Sequence, residues 1–291
     1  MKPETVTRAE RVLGVAAESW KPVAYRGWSR AEHLTIRFAD GTRAFAKVAS
    51  IDPHPGWLRQ ERDVYGVLSG PFMPAFAGFE DGERPLLLLE DLSEGEHVHW
   101  PPPWRPGDVE AVLATIESVA ATSAPALPAF PEPLGGWSEV AADPAPFLAL
   151  DVASGAWLER ALPELVAAEE RAQLAGEALV HGDLRSDNLC IRDGAAVLVD
   201  WNFATRGNGP ALDVACWLPS LTLEGGPGPR EISRSIPGVD ELAVAIAGFF
   251  AARAGLPPPE GAPRVRGFQL AQLEVALPWT CEVLGLEPPD R

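Results

Sequence analysis

Residues 181–202 read HGDLRSDNLCIRDGAAVLVDWN, and no other part of the chain constrains its fold as strongly. The stretch begins with a polar loop and continues as two short apolar runs around the Asp-Gly pair at 193–194. Asp-Gly between apolar runs is typical of a tight β-hairpin. The pattern therefore places Asp183 and Asn188 in the loop before the first strand and Asp200 at the end of the second strand.

Two carboxylates and one carboxamide at these positions suit phosphoryl transfer. One carboxylate can orient an attacking hydroxyl group and accept its proton. A second carboxylate and an amide oxygen can hold Mg²⁺, which prefers oxygen ligands and keeps some of its waters. Beyond this, the reaction needs mainly placement of the reactants and compensation of charge.

A known family shares this arrangement. His-Gly-Asp at 181–183, Asn188 five residues after the Asp, and an apolar hairpin that ends in Asp-Trp resemble the aminoglycoside phosphotransferase and choline kinase-like family. The resemblance implies an α+β, two-lobed protein-kinase-like fold with a nucleotide between the lobes. It implies that Asp183 is the catalytic base and that Asn188 and Asp200 are the Mg²⁺ ligands. Asp213, farther along, is then expected to brace the catalytic loop.

The first ninety residues predict a small antiparallel sheet with one inserted helix. Apolar alternation and Asp-Gly turns mark the strands, and helical spacing marks the helices. The predicted elements are a helix over 4–19, strands over 33–38 and 43–48, a helix over 55–69, and a hairpin over 75–79 and 85–89.

Helical patterns dominate the rest of the chain. The predicted helices cover 107–122, 155–178, 210–222, 239–254 and 263–285, and Pro- and Gly-rich loops cover 99–106, 124–146 and 223–238. With these elements, the resemblance implies a nucleotide-binding lobe over 1–91 and a helical lobe over 92–291 that carries the catalytic loop and the acceptor site.

The lysine pattern supports the nucleotide-binding lobe. Lys47 alternates with Phe45 on a predicted strand and is the only lysine between residues 22 and 291. By the resemblance, Lys47 binds the nucleotide phosphates and Glu61 on the next helix holds Lys47. A solvated strand lysine and an ordinary helix carboxylate are the alternatives.

Two backbone segments are expected to contact the nucleotide. The apolar run 86–89 becomes polar at 90–92, where the resemblance implies that the Glu90 carbonyl and the Leu92 amide bind adenine. Backbone amides at 27–30 stand where a phosphate-binding turn is expected, although a plain hairpin turn fits them nearly as well.

The charge distribution bears on partners. The net charge is −17, of which −15 lies in residues 95–291, so we expect neither nucleic acid nor an anionic membrane surface as a partner. With no apolar run long enough to span a membrane, a cytoplasmic location is expected. The acidic second part predicts a cationic, hydroxylated acceptor such as an amino sugar, and Trp100, Trp104, Trp137 and Trp157 are aromatic candidates to line its site. A merely acidic surface is the alternative.

The combined prediction is a Mg²⁺-dependent small-molecule O-phosphotransferase that uses ATP or GTP. A non-catalytic nucleotide-binding protein that acts through partner binding remains the alternative. A metallohydrolase built on His181, Asp183 and Asp200 would need further histidines. A protein kinase would have His-Arg-Asp and Asp-Phe-Gly where this chain has His-Gly-Asp and Asp-Trp-Asn.

Overall fold

The computed structural model describes residues 2–23, 31–49, 54–95, 97–131, 134–172, 174–260 and 262–290. The predicted phosphate contact at 27–30 lies outside these residues. The strands are β1 (Ala17–Pro22), β2 (Glu32–Phe38), β3 (Arg43–Val48), β4 (Phe76–Glu80), β5 (Leu86–Glu90), β6 (Val98–His99), β7 (Ala178–Val180), β8 (Leu189–Arg192), β9 (Ala195–Leu198) and β10 (Thr205–Gly207). The helices are α1 (Glu4–Leu13), α2 (His54–Tyr65), α3 (Asp108–Ala120), α4 (Trp137–Ala142), α5 (Ala145–Leu148), α6 (Gly155–Arg171), α7 (Pro210–Leu223), α8 (Pro229–Ser233), α9 (Val239–Ala254) and α10 (Val265–Leu284).

The chain forms two compact units, and the architecture is the predicted α+β, kinase-like one with an antiparallel sheet followed by a helical part. The first unit comprises Met1–Pro101, Pro106–Thr115 and Asp187–Ala204, and the second comprises Pro102–Arg105, Ile116–Ser186 and Thr205–Arg291. These units differ from the predicted division at 91, because the hairpin of β8 and β9 packs within the first unit. The lobes 1–91 and 92–291 stay a prediction.

A five-stranded antiparallel sheet in the order β1-β2-β3-β5-β4 organises the first unit. Strict alternation in β3 buries Ala44, Ala46 and Val48 in a core shared with α1. Successive side chains of a strand point to opposite faces, so Phe45 and Lys47 project from the other face. The sheet thereby commits Lys47 to the side away from the α1 core.

A second, three-stranded sheet in the order β6-β8-β9 belongs to the same unit. The hairpin of β8 and β9 turns at the predicted Asp-Gly pair, where both residues have positive φ angles. Its buried strands hold Asn188 at one end, and the Val199 amide donates to the Asn188 carbonyl over 2.9 Å. The residues immediately outside the hairpin are therefore held side by side.

The second unit is built around α9, most of whose side chains are buried. Helices α4, α5, α6, α7 and α10 pack against it. A short antiparallel pair, β7 with β10, precedes and follows the polar loop at 181–186. No helix among the residues described is long and apolar enough to cross a membrane.

Two predicted helices end well before their predicted last residue. The first helix ends at Leu13 instead of residue 19, because Gly14 adopts the left-handed conformation (φ 71°) that commonly ends helices, and β1 follows. The helix predicted over 155–178 ends at Arg171, and residues 178–180 form β7.

The predicted loop over 124–146 contains the short helix α4. Its first amides, at Gly136 and Trp137, donate to the Glu169 carboxylate of α6 at 2.9 and 3.1 Å. The Trp137 indole is fully buried and donates to the Val244 carbonyl. Tertiary contacts of this kind override a Gly- and Pro-rich local sequence.

Candidate functional site

Lys47 lies between two carboxylates in the first unit. Its ammonium group donates to Glu61 of α2 at 2.8 Å and also forms a short ion pair with Asp200. The Lys47 side chain is 14% exposed, Glu61 is 1% exposed and Asp200 is 20% exposed. Residues far apart in the sequence thus form one largely buried cluster with two negative charges and one positive charge.

Burial governs the titration of this cluster. Loss of hydration raises the pKa of Glu61, whereas the positive charge of Lys47 opposes that rise and Asp200 adds to it. A carboxylate this deeply buried is stable only when it is paired. Glu61 therefore depends on Lys47 and in turn fixes the position of the Lys47 ammonium group.

The cluster forms the charged end of a cavity of about 310 Å³ within the first unit. The rest of the cavity is mostly apolar, with walls that include Val23, Phe45, Leu89, Leu92 and Val199. A flat aromatic group fits such walls, and an anionic group fits the ammonium end. Glu90 and Leu92, predicted from the sequence to bind a base through their backbone, also line this cavity.

The side chain of Glu90 is engaged elsewhere. Its carboxylate accepts from Arg192 at 2.6 Å and from the Ala75 amide at 3.1 Å. The neighbouring Asp91 accepts from Arg43 at 2.6 Å and from the Ser93 amide at 2.9 Å, which fixes the turn after β5. These contacts leave the backbone of the 90–92 segment as its means of contacting a ligand.

Asn188 and Asp200 flank the β8–β9 hairpin. Asn188 is buried, and Asp200 has the left-handed conformation (φ 63°) two residues past the end of β9. Such a conformation is uncommon for a residue other than glycine and occurs at functional sites. The two side chains offer only oxygen atoms to a metal, which fits Mg²⁺ better than a soft transition metal.

The second unit holds the loop that contains Asp183. The buried carboxylate of Asp213, in α7, accepts from the amides of His181 and Gly182 at 2.8 and 3.0 Å. Burial raises the pKa of Asp213 more than these two hydrogen bonds lower it, so that the net pKa is about 7. Asp213 thus makes the bracing contacts that the sequence predicts for it.

Asp183 has a charged neighbour from its own loop. Arg185 donates to the Asp183 carboxylate at 2.6 Å. The Arg185 guanidinium also lies 5.3 Å from the centre of the Phe268 ring in α10. The loop is therefore anchored at two helices, through Asp213 in α7 and through Arg185 on α10.

Sequence reasoning missed His33 and Asp187, which both line the cavity. His33 is paired with Lys47 across β2 and β3 and stacks on Phe45 with ring centres 5.3 Å apart. The Asp-Gly turn between these strands implied this pairing of His33 with Lys47. Asp187 also lines the cavity, and only its place beside Asn188 hinted at this.

Two aromatic residues considered for an acceptor site are structural instead. Trp137 is buried against α9, and Trp157 is buried and donates to the Glu287 carbonyl. Trp100 lines the cavity of the first unit. Among the described residues, no group of three His, Cys, Asp or Glu side chains is placed to hold a metal ion.

Comparison with known proteins relates most of the chain to one family. A family model described as "Phosphotransferase enzyme family" matches residues 27–238. No curated protein matches the chain.

Solved structures share the fold over nearly the whole chain. Aminoglycoside phosphotransferase APH(4)-Ia, a thermostable mutant bound to ADP and hygromycin B, is 15% identical with a TM-score of 0.63, covering 97% of this chain and 98% of that one. A protein of Thermobifida fusca YX-ER1, provisionally named a fructosamine-3-kinase, is 19% identical with a TM-score of 0.57, covering 94% and 98%. Spectinomycin phosphotransferase APH(9)-Ia, bound to ADP and spectinomycin, is 12% identical with a TM-score of 0.56, covering 94% and 97%.

His33 generates a prediction about stability and pH. Burial, aided by the charge of Lys47, lowers the pKa of His33 to about 4 from the usual 6.5. The unfolded chain takes up this proton near pH 6.5 and the folded chain does not, so the stabilisation is complete above pH 6.5 and is lost as the pH falls towards 4. His33→Phe keeps an aromatic ring on Phe45 but cannot take up a proton. When the pH is lowered from 7 to 4, the unmodified protein should lose about 3 kcal/mol more free energy of unfolding than His33→Phe does.

Urea unfolding at a series of pH values measures this difference. His97→Phe, at an exposed histidine, is the matched control and should follow the unmodified protein. Parallel curves for His33→Phe and the unmodified protein would contradict the assignment.

Proposed function

The chain belongs to the phosphotransferase enzyme family, and we propose that it moves the γ-phosphate of ATP or GTP onto a hydroxyl group of a small molecule. The observation that carries this proposal is the position of Lys47 between Glu61 and Asp200 at one end of a cavity whose walls are mostly apolar. A nucleotide has the matching polarity, with a flat base at one end and anionic phosphates at the other.

Each site residue of the first unit has a role in this proposal. Lys47 binds phosphate oxygens, and Glu61 keeps its ammonium group in place. The Glu90 carbonyl and the Leu92 amide bind the base. Asn188 and Asp200 hold Mg²⁺, which when bound offsets phosphate charge and favours transfer.

Asp183 acts on the acceptor. Its carboxylate orients the acceptor hydroxyl and takes its proton while the hydroxyl oxygen forms a bond to the γ-phosphorus. The bond from that phosphorus to the bridging oxygen breaks, and the nucleoside diphosphate leaves. Asp213 holds the backbone of the Asp183 loop, and Arg185 orients the Asp183 carboxylate.

The proposed acceptor is a small hydroxylated molecule with at least one positive charge. Residues 95–291 carry a net charge of −15, and a surface dominated by one sign of charge attracts ligands of the other sign. Two of the similar structures contain hygromycin B or spectinomycin, which supports a small-molecule acceptor.

Nucleotide binding tests the proposal first. Lys47→Met alone would leave Glu61 buried without its partner and destabilise the fold, so the variant to use is Lys47→Met with Glu61→Gln, which removes both charges. Calorimetry should show Mg²⁺-dependent binding of ATP or GTP to the unmodified protein and at least a tenfold weaker affinity in this double variant.

The matched control is Lys21→Met, which removes an exposed lysine of the same sheet and should bind nucleotide normally. If the unmodified protein binds neither nucleotide in the presence of Mg²⁺, the proposed function is wrong.

Asp183→Asn should lower turnover by roughly 10²–10⁴-fold, the range typical of positioned acid–base groups. Asparagine keeps the oxygen that accepts from Arg185 but cannot take up the hydroxyl proton, so nucleotide affinity should change little. Steady-state kinetics with an identified acceptor measure the effect. Asp193→Asn, at the tip of the β8–β9 hairpin, is the isosteric control, and full turnover by Asp183→Asn would remove it from the catalytic role.

The charge of the acceptor gives a separate prediction. In a screen of cationic and neutral hydroxyl compounds, nucleotide consumption should be fastest with cationic ones. Because salt screens exposed charges, kcat/KM for those acceptors should fall as ionic strength rises. A neutral compound as the best acceptor, with kinetics insensitive to salt, would refute this acceptor class and leave phosphoryl transfer standing.

A further inference from the structure

The backbone segment that lines the apolar part of the cavity carries one hydrogen bond that the proposed function does not explain. The indole N–H of Trp100 donates to the Leu92 carbonyl at 3.1 Å. Both residues line the cavity, and both pack in a small core with Cys190 and Val197. One lone pair of the Leu92 carbonyl is therefore committed to a side chain at the rim of the proposed base site.

The backbone of the 90–92 segment presents a limited set of polar groups. These are the carbonyl of Glu90, the amide of Leu92 and the carbonyl of Leu92. Among the described residues, the Leu92 amide has no hydrogen-bond partner, and it is available to a ligand. The Leu92 carbonyl differs from the other two groups because Trp100 already uses one of its two lone pairs.

Adenine and guanine place opposite demands on such a segment. Adenine offers the 6-amino donor beside the N1 acceptor, which match the Glu90 carbonyl and the Leu92 amide. Guanine offers the O6 acceptor beside N1–H and 2-amino donors. With O6 on the Leu92 amide, the two guanine donors both need the Leu92 carbonyl, which has one lone pair left, and a buried donor that finds no acceptor is costly.

We propose that Trp100 makes this site select adenine nucleotides over guanine nucleotides, because it uses one of the two lone pairs of the Leu92 carbonyl and leaves one of the two guanine donors without an acceptor. The inference rests on the proposed function, since it requires a nucleotide base at residues 90–92. It assigns Trp100 to base selection and not to an acceptor site.

Calorimetry with Mg-ADP and Mg-GDP tests the inference on the whole protein. The unmodified protein should bind ADP at least tenfold more tightly than GDP. Trp100→Phe removes the indole N–H and keeps an aromatic ring, so it should narrow this ratio at least threefold, mainly through tighter binding of GDP. Trp157→Phe is the matched control, since it loses the same kind of bond, from the Trp157 indole to the Glu287 carbonyl at 3.0 Å, and should leave the ratio unchanged.

A second arm uses only the unmodified protein and does not depend on the folding of any variant. The diphosphate of 2,6-diaminopurine riboside keeps the donor and acceptor pair of adenine and should bind like ADP. Inosine diphosphate lacks the 2-amino donor of guanine, so its N1–H can use the remaining lone pair of the Leu92 carbonyl, and it should bind more tightly than GDP.

The outcomes separate the inference from the proposed function. Equal affinity of the unmodified protein for ADP and GDP, or an unchanged ratio in a folded Trp100→Phe variant, would overturn the role of Trp100 while nucleotide binding stands. Inosine diphosphate that binds as weakly as GDP would overturn the hydrogen-bond argument. Binding of none of these nucleotides would overturn the proposed function and this inference together.

Discussion

The rest of the site depends on the ion pairs that the Lys47 ammonium group forms with Glu61 and Asp200. Glu61 is almost completely buried, and leaving such a carboxylate without its partner costs about 3–5 kcal/mol. The requirement for a cation here ties the central strand β3 to α2, and the second contact, to Asp200, adds the end of the β8–β9 hairpin. Three separate elements therefore position one another through a single charge, in agreement with the proposal that phosphates bind at the charged end of the cavity.

Short polypeptide connections carry that arrangement from one functional group to the next. Asn188 comes five positions after Asp183 in the chain, and the β8–β9 hairpin connects Asn188 to Asp200. Hydrogen bonds fix the backbone on each side of these residues. The Asp213 carboxylate accepts from the amides of His181 and Gly182, and the Val199 amide donates to the Asn188 carbonyl. Phosphoryl transfer asks a protein mainly to hold its reacting groups in place.

The sequence predicted those parts of the fold where a local pattern and the tertiary structure agree. The Asp-Gly turns located the hairpins, and alternation in β3 placed Lys47 on the same face of the strand as Phe45. Contacts between distant residues had no local signature, so the use of the Glu90 side chain by Arg192, the helix α4 held by Glu169, and the bond from Trp100 to Leu92 became visible only in the structure. His33 lies between these cases, because the hairpin register implied its pairing with Lys47.

A crystal structure of the protein with Mg²⁺ and a non-hydrolysable ATP analogue tests the central claim most directly. The account predicts phosphate oxygens within hydrogen-bond distance of the Lys47 ammonium group, the metal on Asn188 and Asp200, and the base edge against residues 90–92. An analogue bound away from this cavity, or bound within it without contact to Lys47, would contradict the account.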